Sequence, residues 1–183
     1  MGVLSALLLS GCMGFNANVP VSSSGMNITL MPIVDTRTDK TYDIDTVGMI
    51  QSSVQKELSM KGYYLDVVDV NNAKQIDNVK LIIDKNHEDL AKQGPPGSKV
   101  LLYVYLKNGT STDSAVFKFA LTNLGAMIVQ REPPKILWSN EEEKFFLLMG
   151  FSINNKADDH WTRAQSVART INALLKNMPD ISN

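Results

Sequence analysis

Seven consecutive residues, Val100-Leu101-Leu102-Tyr103-Val104-Tyr105-Leu106, constrain the fold of this chain more than any other stretch. They are almost entirely apolar and rich in β-branched and aromatic side chains, which fit a pleated, packed surface, so Lys99 to Lys107 is expected to be a strand. Its limits are marked. Gly94-Pro95-Pro96-Gly97 breaks whatever precedes it, and Asn108-Gly109 is expected to turn the chain back after it.

On the amino-terminal side the pattern alternates between strand and helix. Ile28, Leu30, Ile33 and Val34 place a first strand within Met26 to Val34, buried on both faces. The stretch from Asp35 to Lys40 is a polar loop. Asp45 or Thr46 then caps a helix whose apolar residues Val47, Ile50, Val54 and Leu58 recur at spacings of three and four, with Gly62 as its stop. Tyr63 to Val70 is the second strand. Asn71 caps a second helix carrying Ile76, Val79 and Ile83, and Asn86 to Gln93 forms one more short helical turn.

After the Val100–Leu106 strand the pattern becomes strands alone. Ala115, Phe117, Phe119 and Leu121 alternate with Val116, Lys118, Ala120 and Thr122, a period of two that suits a half-exposed antiparallel strand. Another follows at Ala126 to Gln130. Pro133-Pro134 forces a turn into a last strand that starts at Lys135 to Ser139 and is expected to continue through Glu143. Asp158 or Asp159 caps a closing helix bearing Trp161, Ala164, Ala168, Ile171, Leu175 and Met178, ended by Pro179. The expected architecture is α/β: a single domain with a mixed sheet of about five strands and helices packed on it.

Composition says what such a domain does not need. The 183 residues, 44% hydrophobic and 20% charged, are enough for one core, and a net charge of −1 gives no electrostatic attraction to nucleic acid. With one cysteine there is no disulfide within the chain.

That cysteine, Cys12, stands at the end of a short apolar run from Val3 to Leu9, in Leu9-Ser10-Gly11-Cys12. The run falls short of the roughly 20 apolar residues that span a bilayer. It resembles a bacterial lipobox, which implies a signal peptide over residues 1–11, diacylglycerol on the Cys12 sulfur and cleavage before it. No charged residue precedes Asp35, a departure from the basic start of such signals. Acyl chains bury their methylenes at about 0.8 kcal/mol each, so they hold a protein on a membrane without other surface features. Met13 follows; by resemblance to enterobacterial lipoproteins, the absence of Asp there implies the outer membrane. Residues 12–25, with Gly14, Asn16, Asn18, Pro20 and Ser22 to Ser24, lack apolar periodicity and are expected to form a tether that reaches some 20 Å as a random coil. The folded domain is then 26–183.

The order of elements in that domain resembles the small lipoproteins built like the amino-terminal domain of TolB, a group that includes the lipoprotein family first described in Neisseria, LpoB and, more distantly, CsgG. The resemblance is carried by the opening strand Ile28 to Asp35, Lys61-Gly62-Tyr63-Tyr64 between first helix and second strand, Lys99 to Leu106, the strand Ile136-Leu137-Trp138, and the closing Ala173 to Pro179. The segment Leu124 to Pro134 is longer than the hairpin usual at that place. What the resemblance implies is a protein without enzymatic activity or cofactor, on the periplasmic face of the outer membrane, which assembles or regulates an envelope machine for secretion, peptidoglycan synthesis or motor function.

Two features invite other readings. His87 lies in His87-Glu88-Asp89 and His160 in Asp158-Asp159-His160. Acidic residues favour helix starts, so capping explains both clusters. A small-molecule carrier or hydrolase would instead require the two histidines to converge with shared carboxylates around a cleft. No HExxH, GxSxG, P-loop or dinucleotide motif is present. The second feature is Phe145-Phe146-Leu147-Leu148-Met149-Gly150-Phe151, too apolar for an ordinary loop. Packed inside, it is a strand or turn of the core. Exposed, Phe145, Phe146, Leu148 and Phe151 would form a contact surface for a partner protein or for a second copy in a self-assembling structural protein.

Overall fold

The computed structural model describes residues 27–37, 45–68, 87–113, 117–149 and 155–179. The expected signal peptide, Cys12, the tether, the helix expected after Asn71 and Phe151 lie outside the described residues. Within them, strands β1 (Asn27–Leu30) and β2 (Val34–Asp35) precede helix α1 (Asp45–Met60), strand β3 (Tyr64–Val67) and the short helix α2 (His87–Lys92). Three long strands follow, β4 (Val100–Asp113), β5 (Phe117–Gln130) and β6 (Lys135–Met149), and helix α3 (Asn155–Lys176) closes the order.

The strands form one mixed sheet in the order β3-β1-β4-β5-β6, with β2 pairing β4 beside that path. β1 runs parallel to β3 and β4, β2 runs parallel to β4, and β4, β5 and β6 form an antiparallel meander. The α/β class, the single domain and the mixed sheet agree with the expectation from sequence, the sixth strand being the two-residue β2. The single opening strand expected from Met26 to Val34 is split in two at 31–33, although Met31, Ile33 and Val34 remain buried.

Helix α1 ends as its sequence requires. Gly62 has a φ of 83°, which costs a residue without Cβ little, and the amides of Gly62 and Tyr63 donate to the carbonyls of Ser59 and Leu58, satisfying the last turn. Ile50, Val54 and Leu58 are fully buried and meet Val167, Ile171, Leu174 and Leu175 of α3 above Leu102, Val104, Leu124 and Ala126 of the sheet. This is the main core, on the helical face. The opposite face holds a second cluster, in which Leu90 and Ala91 of α2 cover Leu101, Tyr103, Tyr105 and Val129.

Tyr103 is wholly buried there, and its hydroxyl donates to the Leu90 carbonyl at 2.6 Å. Burial disfavours the phenolate and pushes the Tyr103 hydroxyl well above the ordinary tyrosine range, against the smaller opposing pull of the Arg131 charge. Because the folded form holds this proton more tightly than the unfolded chain, stability is fully present below about pH 10 and falls as pH rises beyond it. In urea unfolding between pH 8 and 11 the parent protein is therefore expected to lose up to about 1.4 kcal/mol per pH unit more than Tyr103→Phe, and parallel curves would refute the assignment.

Three corrections concern the second half of the chain. Asn108-Gly109 does not turn the chain: β4 runs through it, with a bulge between Leu106 and Asn108. The two strands expected on either side of Asn123 to Gly125 are one, β5, and β6 continues past Glu143 to Met149. The closing helix is longer and differently oriented than the spacing of Trp161, Ala164 and Ala168 implies. Trp161 is 46% exposed, while Thr162, Ser166 and Thr170 are buried. Ser166 and Thr170 reach the sheet: Ser166 Oγ and Thr122 Oγ1 are 2.9 Å apart, and the Thr170 hydroxyl donates a shared bond to the Ser166 carbonyl of its own helix and to the Thr122 carbonyl of β5. A buried hydroxyl that is hydrogen-bonded avoids the cost of an unpaired polar group.

Candidate functional site

Two 14-residue strands and one of 15 make β4, β5 and β6 much longer than β1 and β3, so the meander projects beyond the parallel part of the sheet. Along β5 the even-numbered residues face α3: Lys118, Ala120, Thr122 and Leu124 are all buried. The odd-numbered residues face the other way, where α2 covers only the half of the meander nearest Val100 and Gln130.

Passing outward from α2, this face changes character twice. First comes a polar belt. Tyr105 and Glu141 lie opposite Gly125 on its two sides, Tyr105 Oη donates to Glu141 Oε1 at 3.3 Å, and Lys107 Nζ pairs with Glu141 at 2.8 Å. Next to it, Asn123 Nδ2 donates to Glu143 Oε2 at 3.0 Å. Beyond the belt the face is apolar. Leu121 pairs with Phe145 and Phe119 with Leu147, and the rings of Phe119 and Phe145 stand 5.5 Å apart. Phe145 is 51% and Leu147 42% exposed. Phe119 and Leu121 are half-buried, and among the described residues these four apolar side chains form a contiguous patch that no other element covers, at the far end of β5 and β6, the kind of surface that marks an interface.

The candidate contact residues distribute over this geometry as follows. Phe145 belongs to the patch. Phe146, one residue on, points the other way and is buried, meeting Trp161 edge-on at 5.2 Å and lying under the Arg169 guanidinium at 4.5 Å. Leu148, opposite Lys118, shares that helical face. Phe151 lies outside the described residues. Phe119, Leu121 and Leu147 complete the patch without having been singled out, although the period of two in Phe117, Phe119 and Leu121 was the signal that places them together once β5 and β6 are paired.

The histidines do not converge. His87 begins α2 on one face of the sheet, whereas His160 lies on α3 on the other, in a shallow groove with Met49 and Ser52 of α1. Among the described residues no three His, Cys, Asp or Glu side chains come together as metal ligands would, and no described helix is long and apolar enough to cross a membrane.

No family model matches this chain, and no curated protein matches it. Solved structures do. The PelC dodecamer from Paraburkholderia phytofirmans is similar over 85% of this chain and 90% of its own, with TM-score 0.51 and 10% identity. The hypothetical protein CT253 from Chlamydia trachomatis matches over 83% and 94%, with TM-score 0.55 and 9% identity. Lipoprotein GNA1162 from Neisseria meningitidis covers 82% of this chain and 99% of its own, with TM-score 0.49 and 17% identity. At such identities the likeness is one of fold.

Proposed function

We propose that this chain is a lipid-anchored envelope protein without enzymatic activity, tethered through Cys12 to the periplasmic face of the outer membrane, which docks other envelope proteins on the patch of Phe119, Leu121, Phe145 and Leu147. One observation carries the reading: the patch lies at the end of the sheet opposite to where the chain enters. β1 begins beside β3 and the start of β4, and from Gln130, at that same end, to Leu121 there are nine residues of strand, about 30 Å. A domain held by residues 12–25 thus has an apolar surface well away from its point of attachment, where a partner protein rather than the anchoring lipid would meet it. Assembly or scaffolding of a secretion, peptidoglycan-synthesis or motor complex fits that arrangement. A small-molecule carrier or hydrolase built on both histidines does not, since they occupy opposite faces.

A second reading is self-assembly, favoured by β6 being the outermost strand of the sheet and by the dodecameric state of the PelC structure of similar fold. In-cell crosslinking of tagged protein, followed by mass spectrometry, separates the two. Phe145→Ser with Leu147→Ser is expected to reduce recovery of one dominant envelope protein at least tenfold while leaving the fold intact, and Cys12→Ala is expected to do the same by releasing the domain. Recovery of the chain alone would replace docking by self-assembly, and unchanged recovery from the double variant would remove the patch from the interface.

A further inference from the structure

At the end of the sheet where β1 begins, the turn before β4 and the turn after β5 enclose a cleft of about 660 Å³, lined by Gly97, Ser98, Lys99, Gln130, Arg131 and Glu132. Its chemistry is set by two cations. The Arg131 amide donates to the Lys99 carbonyl, so these residues stand opposite each other at the mouth of the β4–β5 pair. Like charges placed so destabilise a ladder.

Arg131 is nevertheless fixed in place. Its Nε donates to the Ala91 carbonyl at 2.8 Å, and its Nη1 to the carbonyls of Pro95 at 2.8 Å and Ser98 at 3.1 Å. These acceptors are neutral: they orient the guanidinium but leave its charge uncompensated, with Nη2 outside all three bonds. Neither Arg131 nor Lys99 forms an ion pair with a carboxylate among the described residues, and Glu132, though it lines the cleft, bonds to Gln130 only through its main-chain oxygen. Lys135, paired with Gln130 across the turn, adds a third positive charge at this end.

We propose that this cleft binds a phosphate group, carried either by a soluble molecule or by a phospholipid headgroup. A planar guanidinium held by carbonyls, with an ammonium across the strand pair, offers the donors and the charge that such an oxyanion needs, and its arrival relieves the repulsion between them. The volume admits the phosphate together with part of the molecule that bears it. The site is separate from the apolar patch and does not depend on the docking function. Its position beside the start of β1 would turn it toward the membrane in a chain anchored at Cys12.

The test uses the full chain carrying Cys12→Ser, titrated with inorganic phosphate against chloride at matched ionic strength, with amide shifts read at Gly97 to Val100 and Gln130 to Glu132. Saturable shifts confined to these amides are expected, with affinity about tenfold weaker in Lys99→Gln, the loss of one charge-assisted contact. Co-sedimentation with phosphatidylglycerol vesicles distinguishes the sources. Pelleting that free phosphate competes away and Lys99→Gln weakens assigns a headgroup; phosphate binding without pelleting assigns a soluble ligand. Shifts no larger than those from chloride, or equal affinity in Lys99→Gln, would overturn the site. Lys99 bears no packing role, so that variant remains informative even if Arg131→Gln fails to fold.

Discussion

Phe146→Ala is expected to destabilise the protein by about 3 kcal/mol, while Phe145→Ala changes stability by less than about 0.5 kcal/mol. The two are adjacent and chemically identical. What separates them is the pleat, which sends successive side chains to opposite faces. Phe146 is 7% exposed and packs against Trp161 and Arg169, so truncation opens a void under α3 and removes an edge-to-face contact. Phe145 is 51% exposed and touches mainly Phe119. Urea denaturation measures both, and the midpoint should move without a change in slope. Equal losses at the two positions would mean that β6 is not in the register that pairs Leu121 with Phe145, because a slip of one residue exchanges the faces. The same contrast governs function: only Phe145 should affect partner recovery in a protein that remains folded.

How far these features were legible in the sequence follows from what each depends on. Helix α1 was legible because Ile50, Val54 and Leu58 supply the period and Gly62 the stop, both local signals. The strand at Val100 to Leu106 needed only its composition. Past Leu106 the local signals misled. Asn108-Gly109 is a favoured turn pair, yet thirteen paired positions between β4 and β5, extending on both sides of it, outweigh that preference, and the bulge beside Asn108 absorbs the irregularity. In α3 the apolar residues Trp161, Ala164 and Ala168 suggested the inner face. The true inner face there carries Thr162, Ser166 and Thr170, and the hydroxyls of Ser166 and Thr170 are buried because Thr122 and main-chain carbonyls stand opposite them. Such polar burial depends on a residue more than forty positions away and has no local signature. Phe145 to Leu148 could be read only as a block, since four apolar residues in a row carry no period; pairing with Leu121, Ala120, Phe119 and Lys118 divides them between two faces.

Gly125 is where the covered half of the open face meets the polar belt, and substituting it should have the second large effect. A Cβ there would lie 2.2 Å from Cζ of Tyr105, so the Tyr105 ring occupies the space that any other residue would fill. Glycine inside a strand is normally a weakness, and the ring laid across it restores the missing contact. Gly125→Val therefore has to expel that ring, which is 7% exposed and ends in the bond to Glu141. Overpacking and the lost burial together are expected to cost about 3 kcal/mol. In a Tyr105→Ala background the space is empty, and the same substitution should cost about 1 kcal/mol or less, a coupling of about 2 kcal/mol between the two sites. Additive losses would mean that the ring and the glycine do not share this space. The cycle also bears on docking. The belt of Tyr105, Lys107 and Glu141 ties β4 to β6 across β5, next to the apolar patch on β5 and β6, so loosening it at Gly125 should weaken partner recovery more than the stability loss alone requires, whereas Phe146→Ala, at equal stability loss, leaves this belt in place.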